Sequence, residues 1–369
     1  MKVVLLHDWL TGYRGGERVL DALCELYPEA PLYTLVHVPG SSSPRIEERK
    51  ITTSFINQIP GAETNYRKFL PLFPKAAEHL KIVEKADLVL SSSHCVIKGV
   101  QKPKGARHIS YIHSPMRYLY DQFDTYFGPG TPLAHRLGMK AFRGYLTNWD
   151  LHSNRNVDTM IANSSFVAER IRRIYGRPSQ IIHPFVDLSD FRTLQGNPPA
   201  KQNFDLVLSA FAPNKRIDLA VHAYNESGRS LKIVGSGQLE RELKAAAGPN
   251  IEFLGNLSRS EVLQQLFEAR ALIFPGVEDF GITPLEALAA GTPVVAYSKG
   301  GVLETLTPEP AEFFDEAAPE SLAKALSRLE SRSFEISRLH QQAEKFSRTR
   351  FLTQMREMIE AEMAFAKSN

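Results

Sequence analysis

Short apolar runs alternate with amphipathic stretches along most of the chain. "KVVLLHDW" opens as a buried strand, the loop "LTGYRGG" follows, and "ERVLDALCELYP" carries leucines and a valine on one helical face. Further strands are predicted at 32–38, 86–93, 108–114 and 157–164, with helical stretches between most of them, as at 165–176. Strands alternating with helices predict a parallel sheet covered on both faces. The stretch 186–205 breaks the rhythm with a glycine, two prolines and polar residues, the pattern of a linker. The alternation then restarts as "FDLVLSAF", "IDLAVHAYNE", "SLKIVGSG", "LERELKAAA", "NIEFLG", "SEVLQQLFEA", "ALIFPG", "PLEALAA" and "PVVAYS". After residue 319 the pattern is helical to the end, and no internal repeat is present.

The expected fold class is therefore α/β, with two doubly wound, Rossmann-like domains facing across a cleft and helices at the C-terminus. The first domain is placed at 1–187, the linker at 188–203 and the second domain at 204–350; 351–369 form a C-terminal helix, a candidate to pack back on the first domain. In open parallel sheets, ligands bind at the carboxyl edge of the strands.

At 369 residues the chain is long enough for two ordinary cores. Two cysteines, Cys24 and Cys95, give neither a disulfide framework nor a cysteine-based zinc site, which fits a reducing, cytoplasmic setting. "MKVVLL" is too short for a signal peptide, and no apolar run reaches the ~18 residues of a membrane span, so any membrane contact is expected to be peripheral. Charge is uneven: residues 1–200 hold 25 Lys and Arg against 18 Asp and Glu, while 201–369 hold 19 against 23. A basic first half could face anionic lipid, nucleic acid or a phosphorylated acceptor, or be a solvated surface.

Within "GVEDFGITPLEALAAGTP", Thr283-Pro284-Leu285-Glu286 reads as a capping box, with Thr283 at the N-cap, Pro284 at the first helical position and Glu286 reaching back to an amide. That does not explain Glu278, which follows the apolar run "ALIFP" where a buried strand gives way to a loop. Lys215 and Arg216 stand at the start of a predicted helix, where cations oppose the macrodipole and an anionic partner would offset the cost. The amides of Gly281, Ile282 and Thr283 offer a second anion site at a helix start. Together they suggest a diphosphate held by loops from two strands; a solvated Lys215 is the plainer alternative.

Gly15 and Gly16 stand at the mouth of a helix, either capping it or letting backbone approach a ligand. His113 ends a strand at the carboxyl edge, where an imidazole could contact substrate, act as acid or base, or be structural, and the same holds for His7 and His94. Gly235-Ser236-Gly237 lacks the third glycine of the dinucleotide fingerprint, because Glu240 stands there, and reads as a tight strand-to-helix turn. No Asp-x-Asp pair, Walker-type phosphate loop or His-Glu-x-x-His helix is present, which points to metal-independent use of a diphosphate with no bound cofactor. The stretch 65–87 mixes Arg67, Lys68, Lys75, Lys81 and Lys85 with Tyr66, Phe69, Leu70, Leu72 and Phe73, a candidate for lying on an anionic membrane; the alternative is a core-facing helix with a solvated basic face, and Pro71 and Pro74 interrupt the helical pattern.

"EDFGITPLEALAAGTPVVAYSKGGVLE" resembles the Glu-x7-Glu region of the retaining glycosyltransferases of family 4, which have the GT-B fold. "GGERVL", "IANSSFVAERIRRIYG", "IIHPFVDLSDF", "SAFAPNKRIDLAV" and "IVGSGQLERELK" extend the similarity over most of the chain in the family's order, and "SSSHCVIKGV" with "HISYIHSPMRYLYDQFDTYFG" is most similar to the mannosyltransferase branch that builds O-antigen (lipopolysaccharide) and exopolysaccharide. The resemblance implies that Glu278 contacts donor-sugar hydroxyls and Glu286 the ribose, that Phe280, Gly281, Ile282 and Thr283 cradle sugar and phosphate, that Lys215 neutralises the leaving diphosphate, and that Gly16 approaches it. His113 matches the family's active-site histidine. Many members carry an arginine where this chain has Ala210; Arg216 is the candidate substitute.

The activity this resemblance implies is transfer of a hexosyl group with retention, an α-mannosyl group from GDP-mannose being the expected case. The implied acceptor is a saccharide or a polyprenyl-diphosphate-linked saccharide, reached by an enzyme in the cytoplasm or peripheral on the inner face of the plasma membrane, with no nucleic-acid partner. A UDP-sugar donor, a nucleotide-sugar epimerase of similar fold, a dinucleotide oxidoreductase and a catalytically idle saccharide-binding protein are the competing readings.

Overall fold

The computed structural model describes residues 1–128 and 132–368. The chain divides into two compact units, one of Met1–His183 together with the C-terminal segment from Phe351, the other of Pro184–Arg350.

The first unit is built on seven strands, β1 (Val3–Leu10), β2 (Leu32–His37), β3 (Ile51–Thr53), β4 (Leu88–Ser93), β5 (Arg107–Ile112), β6 (Thr159–Ala162) and β7 (Gln180–Ile181). They pair in parallel in the order β3-β2-β1-β4-β5-β6-β7. The central strands are apolar runs because helices cover both faces of a parallel sheet, so no solvent face demands alternating polar residues. Every residue of β4 is buried accordingly. The edge strands β3 and β7 lie outside the predicted set: β3 is only partly buried and β7 is exposed, so neither carries an apolar signal.

The second unit has six strands, β8 (Asp205–Leu208), β9 (Leu231–Val234), β10 (Ile251–Gly255), β11 (Leu272–Phe274), β12 (Val294–Tyr297) and β13 (Ala311–Phe314), parallel in the order β10-β9-β8-β11-β12-β13. Chain order reverses between β1 and β4 in one sheet and between β8 and β11 in the other. Each reversal parts the flanking loops and leaves a crevice at the carboxyl edge.

Two expectations need correction, and one further strand lies outside the predicted set. The stretch 188–203 is not a plain linker, since Ser189–Gln195 is helical. Leu188, Phe191 and Leu194 recur at helical spacing and pack on the second unit's core, with Phe191 6.2 Å from Phe267 between ring centroids; the helix-breaking Gly and Pro residues come only afterwards. The aromatic face of 65–87 is core rather than surface: Tyr66 and Phe73 are buried, and Phe69 and Leu70 pack against them. Pro71 sits inside a 3-10 stretch, Tyr66–Leu72, and Phe73–His79 continues as an α-helix with Pro74 in its first turn, where the missing N–H costs nothing. Finally, β13 lies just before the helical C-terminal region, between the polar stretches "TPEP" and "DEAAP".

The helix Arg348–Ser368 joins the first unit from Phe351 onward. Phe351 packs edge-on to Tyr111, with centroids 5.8 Å apart, and Glu362 pairs with Arg107 at 3.0 Å. A buried ion pair anchors the long helix Leu133–Ser153: Lys98 Nζ donates to Asp150 Oδ1 at 2.5 Å and to the Cys95 carbonyl, while Tyr120 and Tyr175 donate to Asp150 Oδ2.

Candidate functional site

In the second unit the predicted residues gather at the β8/β11 reversal. The turn after β8 runs through the 3-10 segment Pro213–Lys215 into the helix Ile217–Ser227. The loop after β11 lies directly on it: a Cβ added to Gly276 would stand 2.6 Å from the Asn214 carbonyl oxygen and 2.7 Å from Lys215 Cα. Only glycine lets the two backbones approach this closely. The closeness delivers Lys215 Nζ to within 2.5 Å of Glu278 Oε1. Glu278 is held in turn by the "KGG" turn, where Gly301 N–H donates to the Glu278 carbonyl at 2.9 Å.

The next helix is Ile282–Ala289, capped by Gly281 in the left-handed region at φ 95° with no side-chain cap. Thr283 and Pro284 therefore sit inside the first turn rather than at the cap and first position. Ile282 and Thr283 present amides that have no acceptor within the helix, an arrangement suited to an anion. The Phe280 ring is buried in the core, 5.6 Å from Phe346 between centroids, so its backbone alone can take the cradling role expected of it.

Glu286 is not explained by helix capping. Its Oε1 meets Arg259 Nη1 at 2.8 Å, and Arg259 Nε donates to Asp190 Oδ2 at 2.9 Å. Linear motif reading passes over Arg259 and Asp190. One signal was available: Arg259 opens the helix Arg259–Glu268, the same dipole-opposing placement that singles out Lys215. Arg216 is paired with Asp218, its guanidinium binding through Nε at 3.1 Å and Nη2 at 2.9 Å, and its left-handed backbone, φ 48°, fits the tight entry to the helix. Asp218 thus engages the residue expected to stand in for the arginine missing at Ala210.

In the first unit His7 within β1, Ser92 near the end of β4 and His113 just after β5 gather beside the amino end of the helix Gly15–Leu26; β1 runs on to Leu10, so His7 does not end its strand as expected. Ser92 Oγ bridges His113 Nε2 at 2.8 Å and His7 Nδ1 at 3.1 Å. The other nitrogen of the buried His7, Nε2, faces Glu17 Oε1 at 3.6 Å, just beyond hydrogen-bond length. Glu17 Oε2 accepts the Arg14 amide at 3.0 Å, so this carboxylate closes the helix start and faces the histidine. Burial raises the Glu17 carboxyl, but the neighbouring His7 imidazole outweighs it and holds it at about 2. An ionised Glu17 favours a proton on His7 Nε2; His7 Nδ1 then accepts from Ser92, and Ser92 from His113 Nε2–H. Burial, reinforced by His94 and His7, pushes the His113 imidazole down to about 3, so the ring is neutral at pH 7.

Gly16 lies under these rings: an added Cβ would meet His7 Cε1 at 3.6 Å and His113 Nε2 at 3.8 Å. Gly15 begins the same helix. His94 stacks edge-on to Trp9, and its amide donates to the buried Asp8 carboxylate. Among the described residues no group of three or more His, Cys, Asp or Glu is disposed to hold a metal ion.

Two parallel, doubly wound units with chemistry gathered at their reversal points define the GT-B class. The solved structure of sucrose-phosphate synthase from Thermosynechococcus elongatus matches 99% of this chain and 100% of its own with a TM-score of 0.73 at 19% identity, a likeness of fold. Residues 13–190 match the model for Glycosyltransferase Family 4 and residues 192–348 that for Glycosyl transferases group 1. The chain belongs to the family 4 glycosyltransferases.

Among characterised relatives, a GDP-mannose-dependent monoacylated alpha-(1-6)-phosphatidylinositol monomannoside mannosyltransferase of Corynebacterium glutamicum is 39% identical over 21% of this chain and 23% of its own. A GDP-mannose-dependent alpha-(1-6)-phosphatidylinositol dimannoside mannosyltransferase of Mycobacterium tuberculosis is 28% identical over 48% of this chain and 50% of its own. The matches thus span no more than half the length of these relatives.

Proposed function

We propose that the protein transfers an α-mannosyl group from GDP-mannose, with retention, to a saccharide or polyprenyl-diphosphate-linked saccharide used in cell-surface polysaccharide synthesis. The observation that carries the transferase chemistry is the meeting of Lys215, Glu278 and the Ile282–Thr283 amides at one strand reversal. The GDP-mannose dependence of the relatives supports the choice of donor.

In this reading the Lys215 ammonium and the helix-start amides stabilise charge growing on the departing diphosphate. Glu286, held by Arg259, accepts the ribose hydroxyls, and Glu278 orients a sugar hydroxyl beside the reacting carbon. His113, neutral and fixed through Ser92, serves as a hydrogen-bonding partner of the sugar rather than as a cation. The bond from the anomeric carbon to the phosphate oxygen breaks as the acceptor oxygen bonds to that carbon on the same face. The acceptor proton passes to the leaving phosphate oxygen, so no separate general base is required. The chemistry is assigned to these side chains and amides without a metal; full activity in excess EDTA is the expected outcome.

A thermal-shift panel of GDP, UDP and ADP with their sugars tests the donor. Stabilisation by GDP and GDP-mannose but not by UDP is expected, and preference for UDP would overturn the assignment. The anomeric proton coupling of the product reports retention directly.

A further inference from the structure

The helix Leu133–Ser153 turns its polar and apolar sides against the usual order. Its inner side is ordinary: Leu146, Asp150 and Ser153 are buried, Met139 and Trp149 pack on the first unit's core, and Arg143 lies 4.2 Å over the Phe123 ring while donating to the Leu119 carbonyl. The outer side of such a helix is normally covered with charge. Here Leu133, Leu137, Phe142 and Tyr145 are 59%, 56%, 45% and 43% exposed. At about 100° per residue Leu133, Leu137 and Tyr145 share a sector of about 120° opposite Leu146 and Asp150, with Phe142 at its border. Lys140 and Arg136 line the other border.

The charge on this segment has one sign. From Thr125 to Trp149 the chain has no Asp or Glu, while it has His135, Arg136, Lys140 and Arg143. Asp150, which follows, is buried and paired with Lys98. Among the described residues Glu78 is bonded to the helix, accepting from Trp149 Nε1 at 2.6 Å toward its C-terminal end.

We propose that this outward face docks on the anionic surface of a lipid bilayer. Leucine and aromatic side chains enter the headgroup boundary while the bordering cations meet anionic headgroups. A second copy of the chain is a poorer occupant: opposing faces would bring Arg136 and Lys140 of each together with no acid on either to pair them. The proposal stands on this helix alone and replaces the aromatic face of 65–87, which is spent in the core. It does not depend on the donor or on the transfer reaction.

The test is sedimentation of the full chain with vesicles of phosphatidylcholine, with and without phosphatidylglycerol, at low and high salt. The wild type is expected to bind the anionic vesicles at low salt and to leave neutral ones. Leu137→Glu with Tyr145→Glu, and separately Arg136→Gln with Lys140→Gln, should each weaken binding on the order of tenfold or more, with melting temperature and GDP binding unchanged. Leu137, Lys140 and Tyr145 are exposed and Arg136 is partly exposed, so the variants are expected to keep the fold. Absence of wild-type binding to anionic vesicles, or equal binding by both variants, would overturn the proposal. A wild-type dimer that the variants convert to monomer without change in vesicle binding would also overturn it, assigning the face to self-association.

Discussion

Lys215 Nζ and Glu278 Oε1 lie 2.5 Å apart, bridging the loops that follow β8 and β11. Each is partly exposed, so the pair adds little to stability, and its interest lies in what replaces it. A diphosphate competes with Glu278 for the ammonium. Lys215→Met should therefore weaken GDP binding by about tenfold or more, the scale of a hydrogen bond to a charged group. Glu278→Gln should strengthen GDP binding while lowering kcat, because it removes a like charge beside the phosphates and a partner of the sugar. Calorimetry with GDP and turnover with the sugar nucleotide separate the two effects.

The Arg259 bridge between Glu286 and Asp190 gives a second prediction. Arg259→Leu leaves the buried Glu286 carboxylate without its guanidinium and frees it to change rotamer. The arginine is about one-third exposed, so the loss should fall between that of a surface and a buried pair, about 1–2 kcal/mol. Weaker GDP binding should accompany it, while Arg259→Lys should restore part of the melting temperature and less of the affinity, because one ammonium cannot span both carboxylates.

Gly276→Ala should separate the loops without unfolding the unit. Its methyl would overlap the Asn214 carbonyl and Lys215 Cα. Activity should fall strongly with a near-native circular dichroism spectrum; unchanged kcat/KM would show that the loop contact has no bearing on turnover.

The Lys98–Asp150 pair is fully buried, so breaking it differs from the surface cases. Lys98→Met should cost about 3–5 kcal/mol in urea unfolding, because the Asp150 charge is stranded beside Tyr120 and Tyr175. Adding Asp150→Asn should recover part of that loss.

Stability should fall as pH drops below about 6.5. Burial pushes the His108 imidazole down to about 4, its ring held between Ser91 Oγ and the Asn156 carbonyl. Between the folded value and the free value the unfolded chain binds the extra proton, so acid favours unfolding, by about 2 kcal/mol from this residue at pH 5. His113 acts in the same direction. Glu17, depressed to about 2, adds its loss only below about 4.5. Urea titrations at neutral and mildly acidic pH check the sign; equal stability at both would contradict it.

The amino-acid order by itself determined the elements and their class. Apolar runs such as "VVLL" and "LVLSSS" are legible because a parallel sheet buries both faces, and Lys215, Glu278 and Glu286 stand out because loop ends and helix starts at carboxyl edges keep few charged residues without cause. Edge strands β3, β7 and β13 escaped because short or partly exposed strands have no periodic signal. Tertiary structure decided the partners: Arg259 with Glu286, Arg216 with Asp218, Glu17 facing His7, and the Phe280 ring directed into the core. Those pairings depend on which residues from distant segments share a few ångströms. Local spacing sets a side chain's direction along its own helix or loop, but only packing sets what waits there.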